Sequence, residues 1–268
     1  MRATALMAVH VFRESVRDKV LYNLVFFGVL LIGASYVIGQ LTAGQDIKII
    51  KDLGLSATAV FGLFIAVFIG IGLVSKEVER RSIYALLAKP IERHQIVLGK
   101  YAGLVITLAV NLSVMTVALY IVLAWMRWLG PEGMIRALDA PVLDPAILKA
   151  VALIFVELSM ITAIALFFST FSTPILSATL TFGLFVAGHF SADLRNFDQV
   201  VDSAVAVQLA RALYWVLPNL APFDVKAQVV HGLPVSAGYM ALTAAYGAAY
   251  IAALLTAAVI IFSRRDFK

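Results

Sequence analysis

A chain of 268 residues could hold one or two soluble domains, but 62% of these residues are apolar and the mean hydropathy is +0.96. Its apolar runs exceed the roughly 18–20 residues that mark a membrane helix. A net charge of +5 and a pI near 9.5 would point to nucleic acid in a soluble protein; here they read as the positive-inside bias of a polytopic membrane protein, and the lack of any cysteine excludes disulfides, thiolate metal sites and cysteine nucleophiles.

The first element is the segment 1–20, MRATALMAVHVFRESVRDKV. Charges interrupt any apolar core, so it does not read as a cleavable signal. At about 100° per residue, Ala5, Val9, Phe12, Val16 and Val20 share one face, with His10, Arg13, Glu14, Arg17 and Asp18 on the other. That pattern predicts a helix lying in the membrane interface, against the plainer alternative of an extension of the first span.

Six spans follow, at 21–41, 56–75, 102–126, 147–171, 174–190 and 238–262. All but the fifth are long enough to cross about 30 Å of hydrocarbon at about 1.5 Å per residue. Ser172-Thr173-Pro174 makes the fourth and fifth a tight hairpin, because proline suits the first turn of a helix, where its missing N–H costs nothing. The expected architecture is a single all-α domain over 1–268, with a charged loop at 76–100 and a long loop at 191–237. In the latter, Phe197, Val201, Ala204, Leu209, Leu213 and Val216 fall on one helical face, with Asp198, Asp202 and Arg211 off it. The run breaks at Leu217-Pro218-Asn219, with Pro222 and Pro234 further on. One or two short amphipathic helices are expected there.

Charge sets the direction. With the N-terminus inside, the inner segments hold thirteen of the 21 Lys and Arg residues, for a net +7 against −1 outside. The opposite orientation would break the positive-inside rule, so both termini are expected in the cytoplasm.

Other chemistry is mostly missing. A phosphate loop needs Gly, four residues, then Gly-Lys-Ser/Thr. The pair Gly99-Lys100 has His94 upstream and Tyr101 downstream, so it fails at both ends. His10, His94, His189 and His231 lack metal-ligand spacing. Asn111-Leu112-Ser113 matches a glycosylation sequon but lies inside a span. Glu157 is the one acid within a span, roughly 15 Å below the start of its helix. His189 sits near the outer end of the fifth span, and the two are not expected to meet. Glu157 either binds a cation or polar substrate, or is satisfied by Ser159, Thr162 or another helix. Two small-residue faces, Gly62/Ala66/Gly70 and Ala241/Ala245/Ala249/Ala253/Ala257, read as close helix packing, with a sliding contact as the alternative.

The 76–100 stretch, KEVERRSIYALLAKPIERHQIVLGK, is the densest charge run and carries six of the 21 basic residues. Ile83, Tyr84, Leu86 and Leu87 cluster at helical spacing before Lys89-Pro90, where a short helix should end. On composition alone, docking to a soluble partner and a solvated connector stand level. The residues Glu77, Glu79, Leu86-Leu87, Pro90, Arg93 and Gly99-Lys100 resemble the E-x-E…LL-x-x-P-x-x-R…GK pattern of the second-to-third span loop of ABC-2 type permeases, the transmembrane subunits of ABC exporters. The resemblance covers the whole length and extends to Leu217-Pro218-Asn219 and Val229-Val230-His231-Gly232. Arg81-Ser82 departs from the Gly-Thr of many members and is similar to the branch containing the permease for maturation of the nitrous oxide reductase copper site.

The resemblance implies a non-catalytic subunit that binds no cofactor itself, with ATP and Mg on a separate ATP-binding subunit and two permease subunits forming the pathway in a prokaryotic inner membrane. It implies that Glu77, Glu79, Arg80 and Arg81, with Arg93, position the loop against the ATPase, and that Leu86, Leu87 and Pro90 form its contact knob. It also puts spans two and five at the dimer interface, with Phe61, Phe64, Phe68, Phe182 and Phe185 near the path; lipid contact or bundle core is the plainer reading of each. Glu157 joins that set through its own chemistry. A secondary transporter or channel is the competing class, and would need several ionisable sites near the midplane. An intramembrane enzyme is disfavoured by the missing residue pairs.

Overall fold

The computed structural model describes residues 2–41, 46–79, 92–129, 141–191, 207–208, 214 and 217–264, and among these every regular element is helical. The helices are α1 (Arg2–Val16), α2 (Lys19–Gln40), α3 (Asp46–Glu79), α4 (Arg93–Leu129), α5 (Ala146–Ser169), α6 (Pro174–His189), α7 (Lys226–Val230) and α8 (Ala237–Arg264), with a 3-10 turn at Ala221–Phe223. Five of them, α2, α3, α4, α5 and α8, are long and apolar enough to cross a membrane, and α6 is a shorter apolar helix. The protein is an all-α, multi-pass membrane protein, as the hydropathy required.

α5 is the axis of the bundle. It is apolar on most of its surface, and from Leu153 to Leu166 it is largely buried, while Leu148, Lys149 and Ala152 near its start are exposed. α3, α4, α6 and α8 pack around it. The approach of α3 is close because Gly62 has no side chain: a Cβ there would lie 2.4 Å from Leu158. Gly70 faces Ala165 in the same way, and Ala66 between them is buried. The small-residue face of the second span is therefore a packing face. The alanine stripe of α8 is not. Ala241, Ala245, Ala249 and Ala253 are exposed, and α8 packs instead through Thr243, Gly247, Leu255 and Ala258. Gly247 decides that choice, since Val156 and Phe223 fill the space a Cβ would need.

α3 begins ten residues before the expected second span, at Asp46. Lys48, Lys51 and Asp52 hide this first part from a hydropathy reading, yet Lys51 is only 1% exposed. Its ammonium donates to the Pro141 carbonyl at 2.9 Å and lies 3.8 Å from the Asp144 carboxylate.

α1 is a helix, as its periodicity predicted, but it docks on α4 through Ala8, Val11 and Ser15. Val9 and Val20, on the expected apolar face, are exposed. The contact depends on Gly99 and Gly103 of α4, where a Cβ would come within 2.7 Å of Met7 and of the Ala8 carbonyl respectively. Asp18 then accepts from the Val20 N–H at 2.9 Å and caps α2.

The α5–α6 hairpin is as tight as Pro174 required. α5 ends at Ser169 and Pro174 opens α6. α6 stops at His189, so the fifth span is short in fact as well as on paper.

Candidate functional site

Glu157 lies on the middle of α5, 5% exposed. Ser159 and Thr162 do not satisfy it; both hydroxyls donate back to carbonyls of their own helix, Phe155 and Leu158. Its partner is His189, whose Nε2 stands 3.3 Å from Glu157 Oε1. The expectation that these two stay apart is overturned. It counted both from the outer ends of their spans, and those ends are not level. From their shared turn, Glu157 is twelve residues back from Ser169 and His189 fifteen on from Pro174, roughly 18 and 22 Å along antiparallel helices. α6 is short, so its last residue reaches only the depth of the carboxylate.

A compact segment closes over the pair. The Leu220 N–H donates to the Gly188 carbonyl at 3.0 Å, and Ser191 Oγ to Asn219 Oδ1 at 2.9 Å. The Asn219 N–H donates to the Tyr246 hydroxyl on α8, and the Tyr239 hydroxyl to the Pro222 carbonyl. Gly188 admits this approach: a Cβ would meet Leu220 and the Pro218 carbonyl at 2.8 Å. Phe223, fully buried, plugs the centre. Asp224 and Lys226, ion-paired at 3.4 Å, bring the nearest further charges to Glu157. α7 ends at Val230, Gly232 follows with a φ of 70° that suits glycine, and Lys149 Nζ ties the Val235 carbonyl back to α5. The proline-rich break at Leu217-Pro218-Asn219 is thus the start of a folded cap.

The phenylalanines chosen from sequence gather on one strip. Phe64 is stacked with Phe68 at 6.1 Å between centroids, and Phe182 of α6 meets both, at 5.7 and 6.2 Å. Phe61 continues the row toward the capped end, 6.5 Å from Phe64. Phe185 packs its ring on His189 at 4.5 Å and links the α6 side to Glu157. Beside Phe68 and Phe182 runs an apolar groove of about 440 Å³, bounded by Ile71, Pro174, Ile175, Ala178 and Thr179. Sequence reasoning named Phe61, Phe64, Phe68, Glu157, Phe182 and Phe185, which lie along this strip and at its end, and did not place His189, Lys226 or Asp224 beside Glu157. Counting depth from the α5–α6 turn would have found His189; the dip of the 217–236 segment toward α5 leaves no periodic signal.

Of the loop residues, Glu77 and Glu79 stand on the last turn of α3 and Arg93 opens α4. Arg80, Arg81, Leu86, Leu87 and Pro90 lie outside the described residues, as does the helical face at 197–216 apart from positions 207, 208 and 214. Among the described residues no cluster of three or more His, Asp or Glu could hold a metal.

Residues 7–267 match the model of the ABC-2 family transporter proteins. The chain belongs to that family. The match runs from within α1 to beyond the end of α8, so this ABC-2 protein is the membrane subunit of an ABC transporter along essentially its whole length. A search of curated proteins found no match. The family match does not separate branches, and the resemblance to the copper-site maturation branch rests on Arg81-Ser82 alone.

Proposed function

We propose that this ABC-2 protein is the pathway-forming subunit of an ATP-driven exporter, and that it couples through residues 76–100 to a separate subunit that binds ATP and Mg. The chain has no phosphate loop, so ATP that drives it is bound by a partner. The observation that carries the reading is the pair α3 and α4. α3 runs four residues past its expected span to Glu79 and α4 starts nine residues before its own at Arg93, so both helices continue into the charged stretch that joins them. α1 is docked on α4 directly beside it. In this reading that end, with both termini, faces the cytoplasm of a prokaryotic plasma membrane and the 217–236 cap faces outside, which the charge excess supports.

In this reading the strip from Phe68 to Phe185 is a wall of the path, shared with a second permease subunit across α3 and α6. Glu77, Glu79, Arg80, Arg81 and Arg93 hold the loop at the ATPase surface, while Leu86, Leu87 and Pro90 form the contact. Burying a leucine there is worth about 1.5–3 kcal/mol, and a carboxylate in its place is charged in a dry contact. Leu87→Asp should therefore lose co-purification with the ATP-binding subunit while the chain still inserts in the membrane. Unchanged co-purification and transport would leave 76–100 a solvated connector. A carrier driven by an ion gradient is the second reading, favoured by the Glu157–His189 pair, since paired ionisable groups inside a span are what such carriers use.

A further inference from the structure

The geometry points to Glu157 and His189 as a binding site for one proton, and we propose that this proton latches the cap over residues 217–226 against α5 and α6. The argument starts at the other ring nitrogen. His189 Nδ1 lies 3.1 Å from the Phe185 carbonyl, which can only accept, so Nδ1 carries a hydrogen. Nε2 faces Glu157 Oε1 at 3.3 Å. If Nε2 also carries a hydrogen, the ring is an imidazolium beside a carboxylate; if it does not, the carboxyl holds the hydrogen and donates to it. In both forms a single proton sits between the two atoms and the pair is neutral. Without that proton, a buried carboxylate faces a bare nitrogen lone pair and neither is satisfied.

Among the described residues, the neighbours are engaged elsewhere. Lys226 is paired with Asp224 at 3.4 Å, which offsets part of its charge near Glu157. α8 brings Tyr246, engaged with the Asn219 N–H, and Tyr250 beside it. α4 brings Tyr101, whose hydroxyl donates to the Ser159 carbonyl at 3.3 Å. α3 brings Lys51, committed to Asp144 and Pro141. The cap hangs on the end of α6 through Gly188, one residue before His189, and Ser191, two residues after it. Loss of the proton therefore has one outlet, which is movement of this end of α6 and the cap until water reaches the carboxylate. This goes beyond ATP coupling and does not depend on it.

The test uses the whole chain in membranes, where no native thiol interferes. A single Val225→Cys reports on the cap, since Val225 is 2% exposed between Asp224 and Lys226. A small thiol reagent is the probe, and its rate is normalised at each pH to that of Leu233→Cys, which is exposed. The normalised rate should rise about tenfold or more as pH is raised, since an unsatisfied buried charge shifts opening at least that far. Glu157→Gln should abolish the rise and keep the cap shut, because its amide donates to the bare Nε2 at every pH. His189→Ala should label fast throughout. Isotope-labelled histidine gives an independent reading, with the hydrogen on Nδ1 across the pH range. Labelling that ignores pH in the wild type, a pH dependence that survives Glu157→Gln, or a His189 ring with its hydrogen on Nε2 and a bare Nδ1 would overturn the proposal.

Discussion

Lys51 and Asp144 meet 3.8 Å apart at the capped end of the bundle, and both are almost wholly buried. Asp144 also accepts from the Ala146 N–H at 2.8 Å and so opens α5, while its carbonyl accepts from the Tyr120 hydroxyl of α4. One ion pair thereby joins α3, α4 and the start of the central helix. Removing one partner strands the other's charge. Asp144→Ala should cost about 3 kcal/mol, and Lys51→Met with Asp144→Asn should cost much less, because no charge is then left behind. Thermal unfolding of the purified protein in detergent compares the two.

The crossing of α1 over α4 gives a second prediction. At Gly103 a Cβ would meet the Ala8 carbonyl and Val11 at 2.7 Å, and backbone cannot yield as a flexible side chain can. Gly103→Val should cost about 1–3 kcal/mol by overpacking and lift α1 from its site. A cysteine in place of Val11, shielded in the native fold at 2% exposure, should become reactive in that background.

Topology gives a third. Cysteines introduced at Arg80 and Asp202 should lie on opposite sides of the membrane, with 202 labelled from outside by an impermeant reagent and 80 protected. Labelling at 80 alone would reverse the orientation.

The spans were legible because a bilayer demands about 20 apolar residues, and Pro174 marked the one sharp turn. Gly62, Ala66 and Gly70 also announced their contact, since small residues on one face of a helix let a neighbour come close. What failed shares a cause. Lys51 disguised the start of α3, because hydropathy scores a lysine by its charge and knows nothing of the carbonyl and carboxylate waiting for it. Glu157 and His189 were separated by counting from ends that are not level. The alanines of α8 had the spacing of a packing face, but Gly247 offered a closer approach on another side. Periodicity names a face; only the neighbours decide whether it is used.

The central claim, that this ABC-2 protein works only with an ATP-binding partner, is tested most directly by ATP turnover in reconstituted membranes. The purified chain should release no phosphate above background, because it has no phosphate loop. Addition of its partner subunit should give hydrolysis, and Leu87→Asp should abolish or uncouple it from transport. Sustained turnover by the chain alone, with contaminating ATPases excluded, would contradict the account.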